Sequence, residues 1–180
     1  MNEKILLKKK WEYENGFHLT SDKSRIQKII THHYIFKKSL KVKGDILEFG
    51  VFKGNSLIRF ATFRDMYNSK KKIIGFDAFG KFPNQKDTID NNFIDIFEKE
   101  SGEGIKIKDI KYFLNQKKIK DIILYKGDIK NTIDNYLKEH KSSKISLLHI
   151  DVDVYYPTKI ILEKLFDKVS KNGIILFDDY

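Results

Sequence analysis

Residues 45–56 read DILEFGVFKGNS, an apolar run that carries one acid, Glu48, and breaks at Gly50. A short apolar run bounded by glycine reads as a buried strand. Gly50 and Gly54 allow a tight turn and a close approach of backbone to ligand. The helix that starts at Asn55 or Ser56 then offers unpaired N–H groups at the same place. The spacing is GxxxG preceded by an acid, not the GxGxxG dinucleotide fingerprint, which argues against a nicotinamide-dependent oxidoreductase. A glycine pair alone is weak, since any tight strand-to-helix turn can use one.

Working outward, the same strand-then-helix pattern recurs. The spacing predicts strands over 72–77, 121–125, 145–150 and 174–177, and helices over 55–67, 108–117, 132–140 and 158–168. Such alternation implies right-handed crossovers and an α/β fold: a doubly wound, mainly parallel Rossmann-like sheet. A long polar stretch, 80–106, interrupts it and holds Pro83 and a short predicted helix over 89–97. Ahead of the first strand, 21–39 reads as an amphipathic helix capped by Ser21 or Asp22, with Ile26, Ile29, Ile30, Tyr34 and Ile35 at helical spacing. Residues 1–40 are thus expected to form a helical extension packed on the core, and 41–180 the ligand-binding core.

In open sheets of this kind ligands bind outside the carboxyl ends of the strands. The predicted strands end on or near acids: Glu48, Asp77, Asp151 with Asp153, and Asp178 with Asp179, while the remaining strand runs into Gly127-Asp128. Asp after a strand is also a common turn former or helix cap, which explains one or two cases but not all five. Asp77, at the end of the strand after the glycine turn, is placed to accept hydrogen bonds from both ribose hydroxyls of a nucleoside.

Composition narrows the class. The 180 residues are 41% hydrophobic and 13% aromatic, enough for one globular core. With no cysteine, disulfides, thiolate metal sites and cysteine nucleophiles are excluded. No signal peptide or spanning segment is legible, and a cytoplasmic location is expected. The net charge of +10 raises nucleic acid as a partner, but the positive charge is nearly all lysine, with Arg25, Arg59 and Arg64 the arginines. Scattered lysine is mostly solvated surface, so nucleic-acid binding is disfavoured.

Five segments together carry a family resemblance: EFGVFKGNS (48–56), GFDAFGKFP (75–83), YKGDI (125–129), HIDVDVYYPT (149–158) and GIILFDDY (173–180). The sequence resembles the macrocin O-methyltransferase family of class I S-adenosylmethionine-dependent methyltransferases, from about Gly44 to Tyr180. The first turn is general to the superfamily; the DxDxYxxT segment with the terminal DDY is the specific part. The resemblance implies that Glu48, Gly50, Gly54 and Ser56 shape the methionine side of an S-adenosylmethionine pocket, with Asp151 beside it. Asp77 would hold the ribose, and Gly127 and Asp128 would lie at the adenine. Phe79 and Phe82 are expected at the cofactor rim or in a lid.

It also implies that Asp151, Asp153, Asp178 and Asp179 form an acidic cluster from which Mg²⁺ ligands are drawn, with Asp151 and Asp153 catalytic. Hard carboxylate oxygens suit Mg²⁺, and a divalent charge would relieve the repulsion within such a cluster. The alternative is that Asp153 caps the next helix and Asp179 faces solvent. The implied reaction is O-methylation of a small polyhydroxylated acceptor such as a sugar. His32, His33 and His149 are read as structural, His149 because strand alternation is taken to turn it away from the acids. Tyr155, Tyr156 and Pro157 either line the acceptor pocket or pack.

Class I sheets normally continue for two more strands, so the chain is expected to be a fragment or a short form whose open sheet edge favours pairing with a second copy. A non-catalytic cofactor-binding or assembly module therefore remains a rival, as does a nucleic-acid methyltransferase.

Overall fold

The computed structural model describes residues 7–83 and 88–178. The elements are, in order, α1 (Lys10–Thr20), α2 (Lys23–Ser39), β1 (Asp45–Phe49), α3 (Asn55–Met66), β2 (Ile73–Asp77), α4 (Thr88–Ser101), α5 (Ile107–Gln116), β3 (Ile122–Lys126), α6 (Ile129–Glu139), β4 (Ile145–Ile150), α7 (Tyr155–Leu165) and β5 (Val169–Phe177). The strands form one sheet in the order β3-β2-β1-β4-β5, and every pairing is parallel. The order reverses between β1 and β4, so the chain winds outward in both directions from the centre. A crevice opens at the carboxyl ends where it turns.

Covered on both faces, β1 and β4 are buried almost end to end, and their buried residues are apolar apart from Glu48, Ser146 and His149. Alternation divides the core in two. Ile46, Ile73 and Leu147 face α2, α3 and α5, packing with Phe36, Leu57 and Phe60. Leu47, Phe49, Ile74, Phe76 and Leu148 face α6 and α7, packing with Ile133, Tyr136 and Ile161. The Phe49 and Phe76 rings stack at 4.3 Å between centroids, and Tyr125 continues the stack from β3 at 5.0 Å. Glu48 has the same parity as Ile46 and so enters the first of these two layers.

Three elements depart from the sequence expectation. In α2, Asp22 caps the helix by accepting from the Ser24 N–H at 2.7 Å, but the buried face is His32, Phe36 and Ser39. Ile30 and Tyr34 are 61% and 59% exposed. Apolar residues occur almost all round this helix, so periodicity does not select a face; the fit of Phe36 between Phe60 and Phe63 does. The second helix start, Thr88, gives α4 fourteen residues where a short helix is predicted. Finally, β5 starts at Val169 rather than Ile174. Asn172 takes a φ of 65° and the register shifts opposite Ile145 to Leu147, so the Asn-Gly pair bulges within the strand instead of ending it.

By contrast α1 buries no side chain. Among the described residues no helix is long and apolar enough to cross a membrane. Because Phe36 is fully buried, Phe36→Ala is expected to cost about 3–5 kcal/mol in a urea melt followed by circular dichroism. The exposed Leu19→Ala should stay within about 0.5 kcal/mol.

Candidate active site

Gly50 sits at the carboxyl end of β1 with φ 88°, and a Cβ built there would lie 1.6 Å from the carbonyl oxygen of Asp151. The Asp151 N–H donates to Phe49 O at 2.8 Å, and the Gly50 N–H to Phe76 O at 3.0 Å. The ends of β1, β2 and β4 are therefore laced together at a point where only glycine fits. Gly54, φ 86°, precedes α3, whose N-terminus has no side-chain cap; a Cβ there would meet Ile110 Cδ1 at 2.5 Å.

Asp77 ends β2 with both oxygens engaged. The Phe52 N–H donates to Oδ2 at 2.9 Å, and the Phe79 N–H donates to Oδ1. Burial raises the Asp77 pKa, and these backbone donors oppose the rise. The main chain after β3 is pinned alongside, since the Gly127 N–H donates to Asp77 O at 2.9 Å. Asp128 caps α6 through Oδ1, which accepts from the Lys130 N–H at 2.8 Å.

Between these groups lies a cavity of about 790 Å³ whose wall includes Gly50, Ser56, Asp77, Asp128, Asp151, Asp153 and Asp178. That volume lies within the ordinary range for small-molecule and cofactor sites. Gly127 also reaches the wall. Glu48 and Gly54 stand behind it. Phe79 departs from its expected place at the rim: its ring is buried with Val51, Leu57 and Ile105, and only its N–H serves the site. Phe82 does reach the cavity, where it meets Phe52 and Phe97.

Glu48 is fully buried, and its Oε1 accepts from the Ser56 hydroxyl while Oε2 has no hydrogen-bond partner among the described residues. Burial pushes its pKa up to about 8, with the charges of Asp151 and Asp77 adding to the rise and Ser56 opposing it. At neutral pH Glu48 is thus mostly a protonated, neutral group.

The acids expected as one cluster are distributed differently. Asp151, Asp153 and Asp178 share the cavity wall, and Asp179 lies outside the described residues. Asp153 is exposed, with a left-handed φ of 58° that non-glycine residues seldom adopt. Asp178 is ion-paired with Lys28, and its Oδ1 lies 3.5 Å from His149 Nε2 and 3.7 Å from His32 Nε2. Burial works to raise the Asp178 pKa, but His149, His32 and Lys28 outweigh it and hold the carboxyl far below its ordinary range.

Among the described residues, His32, His149 and Asp178 are the three possible metal-binding side chains whose ligand atoms lie within 4.8 Å of one another. Arg59, which can only donate, lies 3.1 Å from His32 Nδ1. The ring proton of neutral His32 is therefore on Nε2, facing Asp178. A lysine and an arginine stand beside them, and neither ring nitrogen of His149 has a hydrogen-bond partner among the described residues.

Sequence reasoning missed Lys28, His32, Arg59 and His149. For His149 the signal was there: positions 149 and 151 have the same parity, so alternation does not turn it away from the acids. It lies directly opposite Glu48 in the β1–β4 register.

A profile of the family described as Macrocin-O-methyltransferase (TylF) matches residues 23–180. The chain belongs to that family. This confirms the resemblance read from residues 48–56, 75–83, 125–129, 149–158 and 173–180, and makes the chain an O-methyltransferase. Among solved structures, it is similar to the calicheamicin methyltransferase CalS11, with 25% identity over 98% of this chain and 76% of that one and a TM-score of 0.76. An apo structure of CalS11, described as a TDP-rhamnose 3'-O-methyltransferase of calicheamicin biosynthesis, is 27% identical over 93% of this chain and 69% of that one, TM-score 0.65. The O-methyltransferase NovP shares the fold, at 18% identity over 86% and 65% of the two chains and a TM-score of 0.74. No match is found among curated protein sequences.

Two outcomes follow for this family member. Gly50→Ala is expected to lose at least about 1–3 kcal/mol of stability, because the backbone must leave both its φ and its contact with Asp151. Glu48 has an ordinary pKa near 4.5 and a folded value of about 8. The folded chain keeps a proton that the unfolded chain loses between those values. The stability Glu48 contributes is therefore full below about pH 4.5 and lost as pH rises through about 8. Denaturant melts across that window should show the decline, and Glu48→Gln should flatten it.

Proposed function

We propose that the chain is an S-adenosylmethionine-dependent, Mg²⁺-assisted O-methyltransferase that acts on a hydroxyl of a small polyhydroxylated acceptor, a sugar. The observation that carries this reading is one cavity whose wall brings Gly50, Asp77 and Asp128 together with Asp151, Asp153 and Asp178. The sugar acceptor is supported by the description of CalS11 as acting on TDP-rhamnose. The division into a helical extension, 1–40, and a cofactor-binding core, 41–180, belongs to the same reading. So does a cytoplasmic location, which accords with the lack of cysteine.

The residues present fit both groups. For the cofactor, Gly50 leaves room for close approach, and the Asp77 oxygens each keep a further acceptor site beyond the N–H they already hold. Asp128 Oδ2 takes no part in the helix cap and can meet an exocyclic amine. Ser56 and the uncapped start of α3 lie at the methionine side. For the metal, Asp151 and Asp178 are hard oxygen donors that both line the cavity, and Lys28 already stands on Asp178 as a cation.

When bound, the cofactor supplies an electrophilic methyl group, and Mg²⁺ supplies charge that favours loss of the acceptor's proton. With the cofactor held, the methyl group would pass to the acceptor oxygen, and the sulfonium's electron pair would stay on sulfur as the leaving group. Asp153, exposed at the wall, takes the hydroxyl proton and passes it to solvent. Asp77 and the glycine turn set the methyl donor's position, and the buried, neutral Glu48 keeps further negative charge away from it.

Calorimetric titration with S-adenosylmethionine, with and without Mg²⁺, tests the cofactor reading, and no binding in either condition sinks it. Asp77→Asn should weaken cofactor affinity roughly tenfold to hundredfold, the range for hydrogen bonds to a charged group. Asp153→Asn should lower kcat about a hundredfold or more toward a hydroxylated acceptor while leaving cofactor affinity intact. Unchanged turnover would remove Asp153 from the proton's path.

A further inference from the structure

Asp178 has a fixed side and an exchangeable side. On the fixed side His149 and His32 face Oδ1, and both rings are buried. They are held in place by Phe60, which stacks on His32 at 5.0 Å and meets His149 edge-on at 5.5 Å. Arg59 fixes the proton of neutral His32 toward the carboxylate. Neither histidine reaches the cavity wall. On the other side Oδ2 takes the ammonium of Lys28, one turn before His32 on the same helix face. Lys28 does line the cavity, and its side chain is 34% exposed. A lysine is a mobile point charge on a four-carbon stem, unlike the packed rings opposite.

We propose that Lys28 is the exchangeable counter-ion of Asp178: it holds Oδ2 while no divalent cation is present, and yields that oxygen when one binds. The inference rests on the metal-assisted reading above. A cation at Asp151 and Asp178 needs an Asp178 oxygen, and Oδ2 is the one that the histidines do not face. Two positive charges cannot share it without mutual repulsion, so ion binding must expel the ammonium into the cavity. Lys28 thereby lowers the chain's affinity for the ion and keeps Asp178 from standing as an uncompensated anion when the ion is absent.

The test is calorimetric titration of Mg²⁺ into the full chain at constant ionic strength, for the unsubstituted protein, Lys28→Met, Lys28→Arg and Asp178→Asn. Circular dichroism checks that each is folded. Lys28→Met should bind Mg²⁺ more tightly, by up to about fivefold, as expected for removing a competing ion pair. Lys28→Arg should stay near the unsubstituted protein, and Asp178→Asn should lose ion binding. Mg²⁺ binding that Lys28→Met leaves unchanged or weakens overturns the exchange alone. Absence of Mg²⁺ binding in every variant, with S-adenosylmethionine still bound, overturns the exchange and the metal-assisted step together but leaves cofactor use standing. A second readout needs no turnover: acetylation of Lys28 by acetic anhydride, followed by mass spectrometry, should quicken when Mg²⁺ saturates the site. Protection or no change counts against the proposal.

Discussion

The contact between Gly50 and the carbonyl of Asp151 is where the two halves of the sheet become one site. β1 begins the winding toward β2 and β3, and β4 begins the winding toward β5, so a crevice must open between their carboxyl ends. What makes it a defined cavity is the closeness of the two strand exits, joined by the Asp151 N–H to Phe49 O and impossible for any residue with a Cβ at position 50. From that join, the loop before α3 carries the Phe52 N–H to Asp77, and the loop before α7 carries Asp153 to the same cavity. Both loops take their relative position from a contact that neither can relax.

Around this join the polar groups are sorted by depth. Glu48 and His149, neighbours in register, are both buried, and burial moves both toward their neutral forms: Glu48 upward and His149 downward in pKa. Asp178, at the edge of the same layer, goes the other way because it has donors on both sides. The layer thus places groups that burial favours as neutral beneath the cavity, and keeps the ionised Asp178 at its wall. A buried charge without partners would be costly here, and the arrangement avoids one.

Much of this is legible in the sequence, and for a physical reason. Strand ends, glycine turns and the acids after them are local features, so Gly50, Asp77, Asp128, Asp151 and Asp178 can be placed on one edge of a sheet by counting alone. The surroundings of Asp178 are not local. Lys28 lies 150 positions away in the chain, and only the packing of Phe36 and His32 against Phe60 and β4 sets α2 so that it arrives. A helix with apolar residues all round does not announce which face it will bury. Phe79 fails for a related cause: it follows Asp77 directly, but its positive φ of 51° turns the ring back into the core.

The single tryptophan, Trp11, lies on α1 with 67% of its surface exposed. Its indole is already wet in the folded state, so intrinsic emission is a poor gauge of whether the sheet is intact. Unfolding changes its surroundings little, and the backbone or the buried tyrosine must be watched instead. The same exposure makes it a clean local probe. The colour of the emitted light follows what covers that part of α1, without interference from the core.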